Sequence, residues 1–209
     1  MNLREFNAGV PASKSWLAPV CGDIECLSLS AVDSISIGDS IGVERVQFIQ
    51  NSTEAVSATV TETSIVSGDI LGSLTIPANS LVQGSTLRFV VRGFVSNALN
   101  DQITLRLYDG VTFMGFVQLG TLPASTNKFF VAEFDCHVKQ VGVAGVASLE
   151  FNASYQQTID GSTVPAMAIN RSIESTNFAT TVPFDIILTA QWTTLTGSLT
   201  ITSIKGYRS

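Results

Sequence analysis

Residues 129–139 read Phe-Phe-Val-Ala-Glu-Phe-Asp-Cys-His-Val-Lys. From Phe130 on, the apolar Phe130, Ala132, Phe134, Cys136 and Val138 alternate with Val131, Glu133, Asp135, His137 and Lys139. Successive side chains on a strand point to opposite faces, so the stretch predicts a strand with one apolar face and one mostly polar face. Phe129 and Phe130 must send one ring each way. The same period of two runs through Ala147, Leu149, Phe151, Ala153 and Tyr155, and again through Phe184, Ile186, Leu188, Ala190 and Trp192.

Outward from these runs, strand signals recur at 70–76, 86–96, 103–109, 113–119, 129–141, 146–157, 164–173, 183–193 and 199–207. Turn formers separate them, among them Asp109-Gly110, Asp160-Gly161 and Thr196-Gly197. No helical period interrupts the series. Strands of this length and spacing predict an all-β protein, an antiparallel β-sandwich. Eight or nine strands suit the jelly-roll type, in which two sheets stack.

The first third reads differently. Residues 1–20 are broken by Gly9, Pro11 and Pro19 yet carry Leu3, Phe6, Val10, Trp16 and Leu17. Large apolar side chains in an irregular segment need something to dock on, either the chain's own domain or a neighbouring subunit. Residues 24–50 hold a quasi-repeat, Leu27-Ser-Leu-Ser followed by Ile35-Ser-Ile-Gly. Strands this short need stacked neighbours, which a shaft of three wound chains supplies. An edge hairpin of the main domain is the equal alternative. Residues 51–66 read as a strand or linker. The expected division is an extended arm over 1–20, a short β shaft or linker over 21–66 and a jelly-roll head over 67–209.

Of the 209 residues, 45% are hydrophobic and only 13% charged, against a usual charged fraction of about 25%. Few charges suit a β-protein and a surface that another chain covers. The formal charge is −6, and the basic residues are scattered, so no nucleic-acid partner is expected. Arg88 and Arg92 share one strand face, as a solvated pair or an anion site. No apolar run approaches the ~20 residues of a membrane span, and residues 1–7 lack the pattern of a secretory leader. Cys21, Cys26 and Cys136 are an odd set, read as free thiols, with a Cys21–Cys26 bridge left open. No metal or cofactor is expected.

Candidate chemistry is sparse. His137 is the single histidine, and it shares a face with Asp135. A hydrolytic triad needs a serine at the other imidazole nitrogen, and no Gly-x-Ser-x-Gly elbow occurs. Glu133, Asp135 and Glu150 are the carboxylates that a glycosidase would need about 5–10 Å apart. Solvated side chains and hairpin turns explain these residues more simply.

The stretch Ile76-Pro-Ala-Asn-Ser-Leu-Val-Gln-Gly-Ser-Thr-Leu-Arg-Phe-Val-Val-Arg-Gly is followed by Ile103-Thr-Leu-Arg-Leu-Tyr-Asp-Gly and by Ile187-Leu-Thr-Ala-Gln-Trp. That order resembles jelly-roll structural proteins of phages and large DNA viruses. These are fibre-head, tail and minor capsid modules, often trimeric and similar in fold to the tumour necrosis factor family. The resemblance covers residues 70–208. It implies a virion location, a homo-oligomer, contacts with other capsid or tail proteins, no catalytic residues, and an attachment role for the segment before residue 67.

Together these readings predict a non-enzymatic virion structural protein that self-assembles. Val90, Val131 and Ile187, apolar on otherwise polar faces, are the expected subunit contacts. Leu3, Phe6, Val10, Trp16 and Leu17 are the expected capsid contacts. The alternative is a host-receptor or glycan-binding head that uses loops 97–101, 120–128 and 174–181. A polysaccharide hydrolase ranks below both.

Overall fold

The computed structural model describes residues 45–57, 59–67, 69–110, 112–174 and 178–209. Its strands are β1 (Arg45–Gln50), β2 (Glu54–Ser57), β3 (Thr63–Ser64), β4 (Ile70–Gly72), β5 (Thr75–Ile76), β6 (Thr86–Asn97), β7 (Ile103–Asp109), β8 (Thr112–Leu119), β9 (Ser125–Gln140), β10 (Ser148–Ile159), β11 (Ser162–Glu174), β12 (Phe184–Trp192) and β13 (Ser198–Arg208). No helix occurs among the described residues.

The strands form two antiparallel sheets packed as a sandwich. The large sheet runs β11-β10-β9-β6-β13-β1-β4, with β2 also paired to β13. The small sheet runs β3-β12-β7-β8, with β5 also paired to β12. Pro165 lies in β11, an edge strand, where a missing N–H is tolerated.

A jelly roll nests its strands in pairs, first with last. Three of the four nested pairs are present: β6·β13, β7·β12 and β9·β10. The fourth, β8 with β11, is divided. β8 extends the small sheet beside β7, and β11 extends the large sheet beside β10. The two still meet across the open side of the sandwich, where Asn170 Nδ2 donates to the Phe116 carbonyl at 2.7 Å.

The alternation has its expected consequence. Phe130, Ala132, Phe134, Cys136 and Val138 are buried, as are Phe151, Tyr155, Leu188 and Trp192. Phe130 stacks on Tyr155 with ring centroids 5.6 Å apart, and Phe134 meets Phe151 at 6.2 Å. Each such side chain stabilises the fold by about 1.5–3 kcal/mol relative to exposure.

The expected shaft needs correction over its described part. The described residues of 45–66 belong to the sandwich. β1 pairs with β13 and β4, β2 with β13, and β3 with β12. Phe48, Val56 and Ile65 are buried in the common core. The polar run at 51–66 hid this, because it contributes only two buried apolar residues among the described ones, Val56 in β2 and Ile65 just after β3. The arm over 1–20, its residues Leu3, Phe6, Val10, Trp16 and Leu17, and shaft residues 21–44 lie outside the described residues.

Pairing also fixes the two ends of the sandwich. At one end lie Arg45, the link 77–85, the turn at Gly110, the loop 141–147 and residues 178–183. At the other lie the loops 98–102, 120–124 and 193–197 and the turn at Asp160-Gly161.

Candidate interaction surface

The outer face of the large sheet carries most of the residues singled out for chemistry. Cross-strand pairing sets Asp135 between Arg88 and Asn152, and His137 between Thr86 and Glu150. Arg88 reaches Glu133 at 3.3 Å and Asp135 at 3.6 Å. Glu150 sits between Lys139 at 2.9 Å and Arg171 at 2.6 Å. Hydrogen bonds from Lys139 and then Arg171 hold the Glu150 carboxyl well below its usual range, at about 2. His137 Nδ1 is 3.0 Å from the Thr86 hydroxyl. A general acid needs a carboxyl kept protonated near neutral pH. Here Glu150 is held ionised, and Glu133 and Asp135 face a guanidinium. The three form rungs of a charge ladder.

Val90 corrects an expectation. It lies on this outer face, yet it is only 6% exposed. Its cross-strand neighbours are Glu133 and Lys205 on a central strand, and long polar side chains cover apolar neighbours with their stems. Val131 and Ile187 are half-buried. The uncovered apolar residues of the face are others. Phe94 and Phe129 meet edge to face at 6.2 Å, and Met167 and Ile169 are exposed on β11. Phe129 points out and Phe130 in, as the doubled Phe requires. Arg92 lies near Val131, whereas Arg106 belongs to the small sheet.

On the small sheet, Glu62 organises a network that nothing in the sequence signals. It accepts from Tyr108 Oη at 2.8 Å and from Thr189 Oγ1 at 2.5 Å, and lies 3.4 Å from Arg106. Burial pushes its carboxyl up, but the bonds from Thr189 and Tyr108 and the Arg106 charge outweigh this and hold it below its ordinary value. Gln191 Nε2 donates to the Val60 carbonyl at 2.8 Å. The segment around 60–64 is thereby pinned over the sheet.

The loops expected to form one recognition surface divide between the two ends. Loops 98–102 and 120–124 do meet: Asn100 N donates to Leu122 O at 2.8 Å, and Leu122 N to Asp101 O at 2.9 Å. The buried Asp101 carboxylate accepts from Ala98 N at 2.8 Å, Thr194 Oγ1 at 2.6 Å and Thr196 Oγ1 at 2.9 Å. Beneath them, fully buried Gln157 bonds Asn97, Ser125 and Tyr155. Leu99 and Leu195 stand exposed on these loops. Strand β9 begins at Ser125, earlier than expected, so residues 125–128 are strand.

Residues 178–183 are at the opposite, Arg45 end. There Asn79 N donates to Thr180 O at 2.7 Å, and Thr180 N to Gly142 O at 2.9 Å. This joins the link 77–85, the loop 141–147 and residues 178–183. The joined loops expose Val82 (65%), Val143 (57%) and Val182 (53%), with Val141 and Val146 beside them. Apolar residues gathered on one end are an interaction signal where scattered ones are not.

The chain is thus a two-sheet antiparallel β-sandwich with an apolar end. Among solved structures it is similar to the CBM2 module of the evolved Dit of Lactobacillus casei BL23 phage J-1. Identity is 13% and the TM-score 0.29, over 66% of this chain and 67% of that one. It is also similar to the infectious bursal disease virus VP2 of a subviral particle. There identity is 10% and the TM-score 0.32, over 84% of this chain and 41% of the VP2 chain. No family model matches the chain, and no curated protein does.

Proposed function

We propose that the chain is a non-enzymatic structural subunit of a virion, as a minor capsid, spike, fibre-head or tail component. It self-assembles, as a homotrimer, and is held to the particle through its N-terminal segment. One observation carries the reading. Arg45, where residues 1–44 join the sandwich, lies at the same end as the five exposed valines. An apolar end beside the attachment segment is the end to press against a particle, and covering it gains about 25 cal/mol per Å² of apolar surface. Phe94, Phe129 and Val131 on the large sheet are the contacts between copies, and symmetry closes the ring. The virion setting itself rests on the sequence resemblance and the low charge.

The test is the native mass of the full chain across a concentration series. A trimer supports the reading, and a monomer at every concentration overturns self-assembly. Val82→Ser, Val143→Ser and Val182→Ser together should leave the trimer intact and abolish co-sedimentation with particles. Unchanged co-sedimentation overturns the attachment end.

A second reading has its own observation. Leu99 and Leu195 are exposed on loops held rigid by Asp101 at the opposite end, and loops on a rigid scaffold carry recognition. That end would meet a host receptor or glycan. Loss of host-cell binding on Leu99→Ser with Leu195→Ser tests it, and unaltered binding removes it.

A further inference from the structure

Residues 59–64 lie between β2 on the large sheet and the end of β3 on the small one. Val56 before them and Ile65 after them are buried in the core. On the Ile65 side the hold is deep. Ile65 N donates to Leu188 O at 3.0 Å, and the buried Gln50 side chain accepts from Ser67 N at 2.8 Å. Between the two anchors the backbone ladder is only two residues long, Thr63 on Ala190 and Ser64 on Thr189. Side chains supply the other contacts. Gln191 Nε2 donates to Val60 O, and Glu62 meets Tyr108, Thr189 and Arg106. Val60 itself is exposed, so polar contacts fasten the middle of the segment. Thr61 N donates to Thr59 Oγ1 at 3.0 Å, a local bond that travels with the segment if it lifts.

The Glu62 contacts divide between its two oxygens. Tyr108 and Thr189 donate to Oε1, and Arg106 Nη1 lies 3.4 Å from Oε2. Arg106 Nη1 is shut away from solvent and makes no hydrogen bond among the described residues. A guanidinium has donors and no acceptor, and a charge without water needs an opposite charge beside it. We infer that residues 59–64 form a strap across the small sheet, latched while Glu62 is ionised and released when it takes up a proton. Neutral Glu62 no longer balances Arg106, and a proton on Oε2 points at another donor. Lifting the strap lets water reach the guanidinium and removes the conflict. The charged and titratable groups that face Glu62 are Arg106 and Tyr108 of β7; β12 faces it with Thr189, which does not titrate. Burial raises the Glu62 carboxyl, but Thr189, Tyr108 and Arg106 more than offset this and bring it below its ordinary value of 4.5. The latch is therefore complete above that value and fails as pH falls through the folded one. Opening takes β3 off Thr189 and Ala190. It bares that stretch of the β12 edge, and a bared edge is where another chain adds a strand.

The experiment is hydrogen exchange of the full chain between about pH 6 and about pH 2.5, read by mass spectrometry and corrected for the intrinsic rate. Protection at residues 59–64 and 189–190 should fall about ten-fold or more in acid, while that at 130–138 holds. Glu62→Gln should show the open strap at every pH. Tyr108→Phe removes one donor and keeps the ring, so its strap should open at a higher pH than wild type. Unchanged protection of the strap in acid overturns the latch. So does loss of protection over the whole sandwich at once, which makes the strap part of global unfolding. A wild-type pH profile in Glu62→Gln also overturns it. Should Glu62→Gln not fold, Tyr108→Phe decides, and an opening midpoint equal to wild type overturns the role of the carboxylate.

Discussion

Thr180 and Gly142 hold each other twice. The Thr180 amide donates to the Gly142 carbonyl at 2.9 Å, and the Gly142 amide donates to Thr180 Oγ1 at 2.9 Å. This clasp fixes the loops that carry Val143 and Val182 at the Arg45 end. Thr180 is buried, so water cannot replace its hydroxyl. Thr180→Val keeps the shape and removes the acceptor. The expected cost is about 1–3 kcal/mol, because the Gly142 amide is left unpaired. Hydrogen exchange should rise at 142–146 and stay unchanged at 98–102; equal exchange at both ends contradicts the clasp.

Stability should fall in acid over a definite window. Glu150 has an ordinary value of 4.5 and a folded value of about 2, set by Lys139 and Arg171. Lys128, bonded at 2.7 Å, lowers Asp160, and Glu62 is lowered as well. For a depressed carboxylate the stabilisation is complete above the unfolded value and is lost as pH falls through the folded one. Melting temperature should therefore drop between about pH 4.5 and pH 2. Glu150→Gln should flatten that drop; a slope identical to wild type would refute the role given to this carboxylate.

Cys136 is fully buried, and burial, with Asp135 next, pushes its thiol far above the usual range. Only a thiolate reacts with alkylating agents. Iodoacetamide at pH 8 should leave Cys136 unmodified in the native protein and modify it after unfolding in urea. Peptide mapping reads this apart from Cys21 and Cys26. Rapid native labelling at Cys136 would contradict its place in the core.

Gly93 in β6 is a position of close approach. An added Cβ would collide with the Thr200 carbonyl on β13, and it would come within 2.9 Å of the Phe130 ring. Backbone cannot yield as a side-chain tip does. Gly93→Ala should cost about 1–3 kcal/mol, the range for overpacking, visible as a lower urea midpoint with an unchanged slope. A neutral substitution would mean that β6 and β13 are less tightly paired than described.

The sequence by itself determined the strands after residue 86 and which way their side chains point. Alternation is local: Phe130, Phe134, Phe151 and Trp192 declare a buried face through neighbours two residues away. It also declared Phe129 outward. Tertiary structure decided everything that depends on which strands lie side by side. Val90 is covered because Glu133 and Lys205, 43 and 115 residues away, flank it in the sheet. Glu62 became a clamp only when Tyr108, Arg106 and Thr189 were brought to it. Short β1 and β2 joined the large sheet because β13 offered a free edge. The five valines gathered at one end because Thr180 ties their loops together. A period of two is written along the chain, whereas pairing across a sheet joins residues that the chain keeps far apart.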